Sequence, residues 1–429
     1  MALTSYSADY AASAERQRGH AYVSAGLKVW LDRFVIFWIF MGGFVTIEPS
    51  PYEFLFAIVL PLALFAGLKI YGRTAPLVLL TVLFSPFAII AAFQATYTPT
   101  ATTLVYEAVT IFLMLTAFFA ASYVAEAPQE RMRRIMTAYT VAAVLSALLG
   151  TLGYLHVIPG GYDILTRYGR AKALFQDPNV YGPFLILPAI FALQRLLLQR
   201  GWRSLLGNGA IVMVLLIGVF VSFSRAAWGN LLGSAVLLFF LVFIFEANAR
   251  QKVRMILLGM SGLVLVGIAL GSLLSIPSVG ALFEERASVE QNYDSGSTGR
   301  FGRQGYAFDL ALSYPFGIGP AEFRNLEINE EAHDSYATTF HVYGWGGALV
   351  WDVLIAMTLM RGFSALIRPS PNRRMLLPLL ATYVPVIIEA GIIDIDHWRH
   401  YYLIVGLIWG VTAGYRRLAP GEDRASALI

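Results

Sequence analysis

The chain contains no cysteine, so disulfides, thiolate ligands and thiol nucleophiles are all excluded. Charge is scarce as well. Asp, Glu, Lys and Arg make up 14% of the 429 residues, where a soluble domain carries about 25%. That shortage excludes a surface that mostly faces water. The net charge of +4 is small and calls for no nucleic-acid partner. The N-terminal segment, with Glu15, Arg16, Gln17 and Arg18, lacks the basic start, short apolar core and cleavage site of a signal peptide. No tandem repeat, low-complexity tract or separable soluble domain is visible.

What is present is apolar. Hydrophobic residues make up 57% of the chain, and mean hydropathy is +0.64. Apolar runs of about 20 residues recur along the whole length, each enough to cross a hydrocarbon core of roughly 30 Å. A helix satisfies its own backbone polar groups in lipid, whereas a β-barrel would show shorter, alternating segments. The sequence therefore predicts an all-α polytopic membrane protein, a single integral membrane domain over 1–429. Its spans are expected near 28–47, 51–71, 75–95, 102–124, 135–156, 180–198, 204–222, 226–246, 253–275, 336–360, 375–394 and 400–415.

Basic residues follow every second span. They are Lys69 and Arg73; Arg131, Arg133 and Arg134; Arg200 and Arg203; Arg250, Lys252 and Arg254; Arg368, Arg373 and Arg374; and Arg416 and Arg417. With twelve spans they all fall on one side. The excess of cations on cytoplasmic loops makes that side the cytoplasm, with both termini there. The opposite side then receives residues 157–179, the tight connection Ser222–Arg225, and the large loop 276–335 between spans nine and ten. A loop of that length in a compact chain is usually functional or disordered. Here Phe301, Phe308 and Leu312 recur at helical spacing, Tyr306 and Leu310 add a second row, and Pro315 stops the pattern. An amphipathic helix lying on the membrane face is expected.

Several cations remain on the side where cations are disfavoured. Arg300 and Arg303 stand three residues apart and would share a helix face behind an N-cap at Ser297 or Thr298. A helix dipole disfavours cations at that end unless an anion binds there, where amides and guanidiniums would converge on it. The plainer reading is a solvated pair, matched by Glu290 or Asp294. Arg225, beside Ser222 and Ser224, either snorkels to the headgroups or points into a cavity. Arg170 and Lys172 form a second basic cluster, and Asp177-Pro178-Asn179 beyond them reads as a helix start.

Among the histidines, His333 lies where the large loop enters the tenth span, and imidazole is the side chain best suited to act as a base near neutral pH. His397 and His400 lie at the end of the eleventh span with Asp394 and Asp396 nearby. Their spacing matches no zinc signature, so no metal ligands and no cofactor are assigned. An anion site at the outer membrane surface suits a polyprenyl pyrophosphate donor, because nucleotide sugars and ATP are cytoplasmic. Guanidiniums would stabilise the leaving pyrophosphate, and one histidine would take the acceptor proton.

The run Ser297–Phe323, STGRFGRQGYAFDLALSYPFGIGPAEF, resembles the O-antigen ligase signature: an arginine, an amphipathic helix, then Pro, Gly-x-Gly and an aromatic. Ala332–Tyr336 and Gly344–Gly347 resemble that family's histidine motif and the glycine-containing span after it. Ser224–Trp228 and Phe175–Asn179 also resemble family features. The resemblance implies a GT-C-like fold in a bacterial inner membrane with a periplasmic active site. It implies metal-free, inverting transfer of a glycan from undecaprenyl pyrophosphate to lipid A–core, with His333 as catalytic residue and Arg225 and Arg300 on the pyrophosphate. Arg303, Arg170 and Lys172 are further candidates for the pyrophosphate. One departure is Gln304, where relatives often carry tryptophan. The same superfamily contains O-antigen and exopolysaccharide polymerases and protein O-glycosylating enzymes. A secondary transporter is the alternative from another class, suggested by Glu107, Asp352 and Glu389 within spans, although no internal symmetry supports it.

The alternating basic loops make a direct prediction. In intact cells, Asn292→Cys in the large loop reacts with an impermeant thiol reagent, and Ser370→Cys after the tenth span does not. The reverse labelling overturns the orientation.

Overall fold

The twelve apolar runs are mainly helical and close most of their backbone hydrogen bonds within themselves. The computed structural model describes residues 26–287, 296, 299–326 and 330–413. Arg416 and Arg417, Asn292, and the predicted N-cap residues Ser297 and Thr298 lie outside these. The first five spans are α1 (26–41), α2 (Pro51–Phe65), α3 (Ala75–Gln94), α4 (Thr100–Glu126) and α5 (Pro128–Tyr154). A short helix α6 (Gly161–Leu165) and a two-stranded turn, β1 (Thr166–Arg167) with β2 (Arg170–Ala171), follow. The sixth span is two helices meeting at Leu185, α7 (Pro178–Phe184) and α8 (Ile186–Leu198). Then come α9 (Trp202–Val221), α10 (Arg225–Phe245) and α11 (Ala249–Leu274). The large loop holds α12 (Pro277–Ala287) and α13 (Arg300–Ser313), and α14 (Ser335–Ile367), α15 (Arg373–Glu389) and α16 (Arg399–Ala413) complete the bundle.

The protein is thus an all-α, multi-pass membrane protein. Among the described residues, 8 helical stretches are long and apolar enough to cross a bilayer. They are α3, α4, α5, α7 with α8, α9, α10, α11 and α14. The remaining predicted spans, α1, α2, α15 and α16, are shorter. For α15 the reason is visible: the predicted span runs to 394, but the helix ends at Glu389 and residues 390–398 fold back into the bundle as irregular chain.

Connecting segments sort into two ends. At one end, Val45 N donates to Leu174 O at 2.8 Å, and the Glu322 carboxylate accepts from the amides of Tyr97 and Thr98. Arg399 pairs there with Glu53 and Glu48. At the other end, Lys28 and Arg131 pair with Glu126, Arg374 pairs with Glu246, and Arg361 donates to Arg73 O. The first set joins segments expected outside and the second joins the basic loops. This sorting is what alternate crossing requires.

Helix α16 forms the centre, buried from His400 to Thr412. Gly406 and Gly410 let its backbone approach the small-residue face of α4: a Cβ on Gly406 would stand 2.5 Å from Ala117 O. Small residues at such spacing are the usual means of close helix packing in lipid, where apolar burial adds no drive. By contrast α11 buries only Met255 and otherwise presents leucine, valine and isoleucine outward.

The Pro315–Pro320 run has a structural task. Helix α14 is interrupted at Gly344, with φ 69° and ψ 178°. The interruption frees backbone groups, and the loop supplies their partners. Ile318 N donates to His341 O at 2.7 Å and Trp345 N donates to Pro315 O at 2.9 Å. A Cβ on Gly344 would meet Pro315 O at 2.6 Å. Immediately before this run lies α13, which stops at Ser313 as Pro315 predicts but starts one or two residues later than an N-cap at Ser297 or Thr298 would place it. Phe301, Phe308 and Leu312 are exposed while Arg303, Ala307, Leu310 and Ala311 are buried, so one apolar row faces outward. Its N-cap is Gly299, with no side-chain cap, which makes Arg300 the first helical residue.

Gly344→Ala should therefore destabilise the fold, because this backbone region is nearly confined to glycine and costs other residues about 1–3 kcal/mol before any clash. Gly262→Ala on α11, where a Cβ meets nothing within 4 Å, is the control. Thermal unfolding in detergent, followed by gel filtration, should show a lower midpoint for the first variant alone.

Candidate functional site

Three segments meet where the large loop joins the bundle: the start of α13, residues 330–335, and residues 390–395. Ser335 binds two of them together. Its amide donates to Ala390 O at 2.8 Å. Its hydroxyl donates to Ile393 O at 2.8 Å and accepts from Ile395 N at 2.7 Å. From α13, Arg300 donates to Ile392 O. One turn later Gln304 donates to His333 O at 3.1 Å and to Gly391 O at 3.4 Å.

His333 sits at the turn into α14 with φ 55°, in the left-handed region. That turn separates its side chain from the next one. Asp334 caps α14 by accepting from the amides of Tyr336 at 3.0 Å and Ala337 at 3.1 Å. His333 instead reaches Asp394, with Nδ1 3.3 Å from Oδ2. Thr338 Oγ1 donates to Oδ1 of the same carboxylate at 2.9 Å. Burial alone would raise the Asp394 carboxyl; the hydrogen bond and charge of His333, with Thr338, bring it below its ordinary range. The His333 side chain remains 42% exposed, so the ring is reachable from outside. A carboxylate that orients one ring nitrogen fixes the tautomer and leaves the other nitrogen free to accept a proton.

The sequence-predicted cations separate. Arg300 lies at this junction. Arg303, expected beside it, is buried and turned towards Glu330, with which it pairs. Glu290 and Asp294, its alternative partners, lie outside the described residues. Arg225 is the first residue of α10, capped by Ser224 after Phe223 in the left-handed region. Five residues on, about 7.5 Å along the axis, Asn230 donates to Glu389 at 2.5 Å. Glu389 ends α15, so the start of α10 stands beside the 390–398 segment. Arg170 is buried, its Nε donating to Ser222 O at 2.8 Å and its NH2 group to Asn179 Oδ1 at 2.6 Å. It clamps the β1–β2 turn to the α9–α10 junction. Lys172 is half-buried, and burial with the Arg167 charge lowers its ammonium from the ordinary value. Arg324 pairs with Glu331 at 2.8 Å, and burial raises that carboxyl.

The other histidines do not join His333. His397 Nε2 lies 2.8 Å from Thr110 Oγ1, and its ring packs on Tyr106. His400 stacks on Trp398, and buried His341 packs on Phe323. Among the described residues no group of three acidic or histidine side chains is placed to hold a metal ion. The functional feature not read from sequence is the partnership of Asp394 with His333. Its signal was a carboxylate inside the apolar run Ile392-Ile393-Asp394-Ile395, which is costly unless partnered.

The O-antigen ligase family model matches residues 210–351. Over that segment, about a third of the chain, the protein is similar to O-antigen ligases. It contains Arg225, Arg300, Arg303, the 315–320 run, His333 and the break in α14, and it ends before Asp394. Members of this family are glycosyl-transferring enzymes, of ligase or polymerase type, that act on lipid-linked glycans at the bilayer. No curated protein matches the chain.

Arg170→Ala should cost stability more than a surface arginine would, since it breaks buried charge-assisted hydrogen bonds worth about 1.5–3 kcal/mol each. A lower unfolding midpoint than that of Arg203→Ala, on an exposed residue, is the expected result.

Proposed function

We propose that the protein transfers a glycan from undecaprenyl pyrophosphate to lipid A–core, at the periplasmic face of a bacterial inner membrane. The observation that supports this most is the His333–Asp394 pair. It is an oriented and reachable imidazole at the junction that also holds Arg300, inside the end of the segment similar to O-antigen ligases and next to it.

The reaction then runs as follows. The acceptor oxygen attacks the anomeric carbon from the face opposite the pyrophosphate, so the configuration inverts. Its proton passes to His333 Nε2. The bond from the anomeric carbon to the pyrophosphate oxygen breaks, and the electron pair leaves on that oxygen. Arg300 and Arg225 bind the growing charge through guanidinium N–H groups, which suit phosphate oxygens in pairs. Asp394 holds the imidazole before the transfer and stabilises the imidazolium after it. Arg303 and Arg170, both tied to protein partners, shape the site from behind, and Lys172 contributes charge at its rim.

The test uses purified protein in liposomes with undecaprenyl pyrophosphate-linked glycan and lipid A–core. General-base catalysis contributes about 10²–10⁴-fold, and His333→Ala should lose that much without losing donor binding. Asp394→Asn should fall part of the way. Arg300→Lys should lose more than a charge-conserving change on the surface, because the fork is gone. Chelators should leave the rate unchanged. Near-wild-type transfer by His333→Ala removes the base. In cells, deletion that leaves full-length polymer on its lipid carrier supports ligation, whereas deletion that shortens the polymer assigns polymerisation instead.

A further inference from the structure

Beneath the His333–Asp394 pair lies a buried polar layer that the proposed reaction does not use. Thr110 and Tyr106 come from α4, Tyr343 from α14, and Asp396 and His397 from the 390–398 segment. Thr110 Oγ1 stands 2.8 Å from His397 Nε2 and 3.1 Å from Tyr343 Oη. Tyr343 Oη donates to Asp396 Oδ2 at 3.4 Å. The His397 and Tyr106 rings pack with centroids 4.1 Å apart. Thr110, Tyr343 and Asp396 are each no more than 2% exposed.

The 390–398 segment has no helical ladder of its own, so its attachments decide where it stands. Ser335 fixes the stretch from Ala390 to Ile395. Past that point Trp398 N donates to Ile395 O at 2.9 Å, and the side-chain attachments to other helices are those of Asp396 and His397. Asp394 lies between the two sets. Burial and the Arg399 charge lower His397 to about 4, so its ring is neutral at pH 7 and can share a hydrogen bond with the threonine hydroxyl. Burial and the neighbouring Asp394 carboxylate push the Asp396 carboxyl well above its usual range, which favours a protonated, hydrogen-bonding group.

We propose that Thr110 and Tyr343 are positioning residues for the transfer: holding His397 and Asp396 from two different helices, they set where Asp394 stands against His333. The proposal rests on His333 being the base. It assigns these two side chains no contact with donor or acceptor.

Thr110→Val keeps the shape and removes the hydroxyl, Tyr343→Phe removes the other hydroxyl, and Thr110→Ser restores the first. The probe is undecaprenyl pyrophosphate-linked glycan extracted from membranes, supplied to full-length protein in liposomes with lipid A–core, and the readout is released undecaprenyl pyrophosphate. Misplacing a catalytic group by about an ångström can cost up to 10²-fold, so kcat should fall about 10- to 100-fold in Thr110→Val and Tyr343→Phe with KM for the donor within about twofold. Thr110→Ser should recover most of the rate. In an Asp394→Asn background neither substitution should lower the rate further. Wild-type kcat in both single variants overturns the proposal, as does a full additional loss in the Asp394→Asn background. If one variant fails to fold by gel filtration, the other decides alone; if both fail, His397→Phe, which removes the ring nitrogen bonded to Thr110, decides in the wild-type and Asp394→Asn backgrounds, a loss of kcat in the first alone supporting the proposal and any other result overturning it. His333→Ala is run alongside: activity there brings down the base reading, whereas an inactive His333→Ala beside fully active Thr110→Val and Tyr343→Phe brings down only the positioning role.

Discussion

The fold depends on burying an irregular piece of backbone inside an apolar bundle. The last carbonyls of α15 accept from the amides of residues 390–393, but the carbonyls of Ala390, Gly391, Ile392 and Ile393 turn to partners outside that helix, at a place where Ile393, Ile395 and Trp398 are buried. In such surroundings each unpaired peptide group costs several kcal/mol. Ser335 answers much of that demand with one amide and one hydroxyl, and Arg300 and Gln304 answer more from α13. These bonds explain why the large loop, the entry to α14 and the exit from α15 form one unit. The same bonds bring His333 to Asp394. Satisfying the backbone and bringing His333 to Asp394 are a single geometric solution.

A second irregularity repeats the principle at α14. The break at Gly344 would expose helix ends, and the Pro315–Ile318 loop fills it with its own peptide groups. The loop after α13 is thereby fastened to α14 on both sides of its break. Helix α13 is also held by its buried Ala307, Leu310 and Ala311, by the Arg303–Glu330 pair, and by Trp345 Nε1 donating to Ala311 O at 2.8 Å. With both ends tied, Arg300 and Gln304 are kept at the site.

Much of the architecture was legible because the bilayer imposes length and hydropathy on every span. Boundaries failed where protein, not lipid, satisfies the chain: the eleventh span reads as apolar through Ile395, yet helix stops at Glu389 because Ser335 captures the carbonyls beyond it. Site residues divide the same way. His333 and Arg300 were readable as polar groups at a membrane boundary. Arg303 and Arg170 have the same signal, and only tertiary structure reveals that Glu330, Ser222 and Asn179 engage them. Asp394 was read only as a neighbour of His397 and His400; His333 lies far away in the chain, and no local spacing connects them. Gln304, a departure from the family pattern, shows its role only once His333 O and Gly391 O are placed beside it.

Charge bookkeeping across the proposed step follows from this arrangement. A base must start with a free nitrogen, so the proposed step begins from a neutral imidazole beside the Asp394 carboxylate, a pair with one negative charge. When the acceptor proton arrives, the imidazolium and carboxylate become a neutral pair in a partly buried place, where an isolated charge is expensive. At the same moment a negative charge grows on the leaving pyrophosphate, on the side given to Arg300 and Arg225. The proton and the electron pair therefore move towards groups already oriented to receive them, and little reorganisation is needed as the bond breaks. An aspartate in place of His333 could not do this, because two carboxylates side by side would resist ionising together. Nor could a lysine, whose strong basicity next to Asp394 would keep it protonated and unable to accept the proton. Imidazole beside carboxylate is the combination that starts with an acceptor nitrogen free and ends with the charge paired.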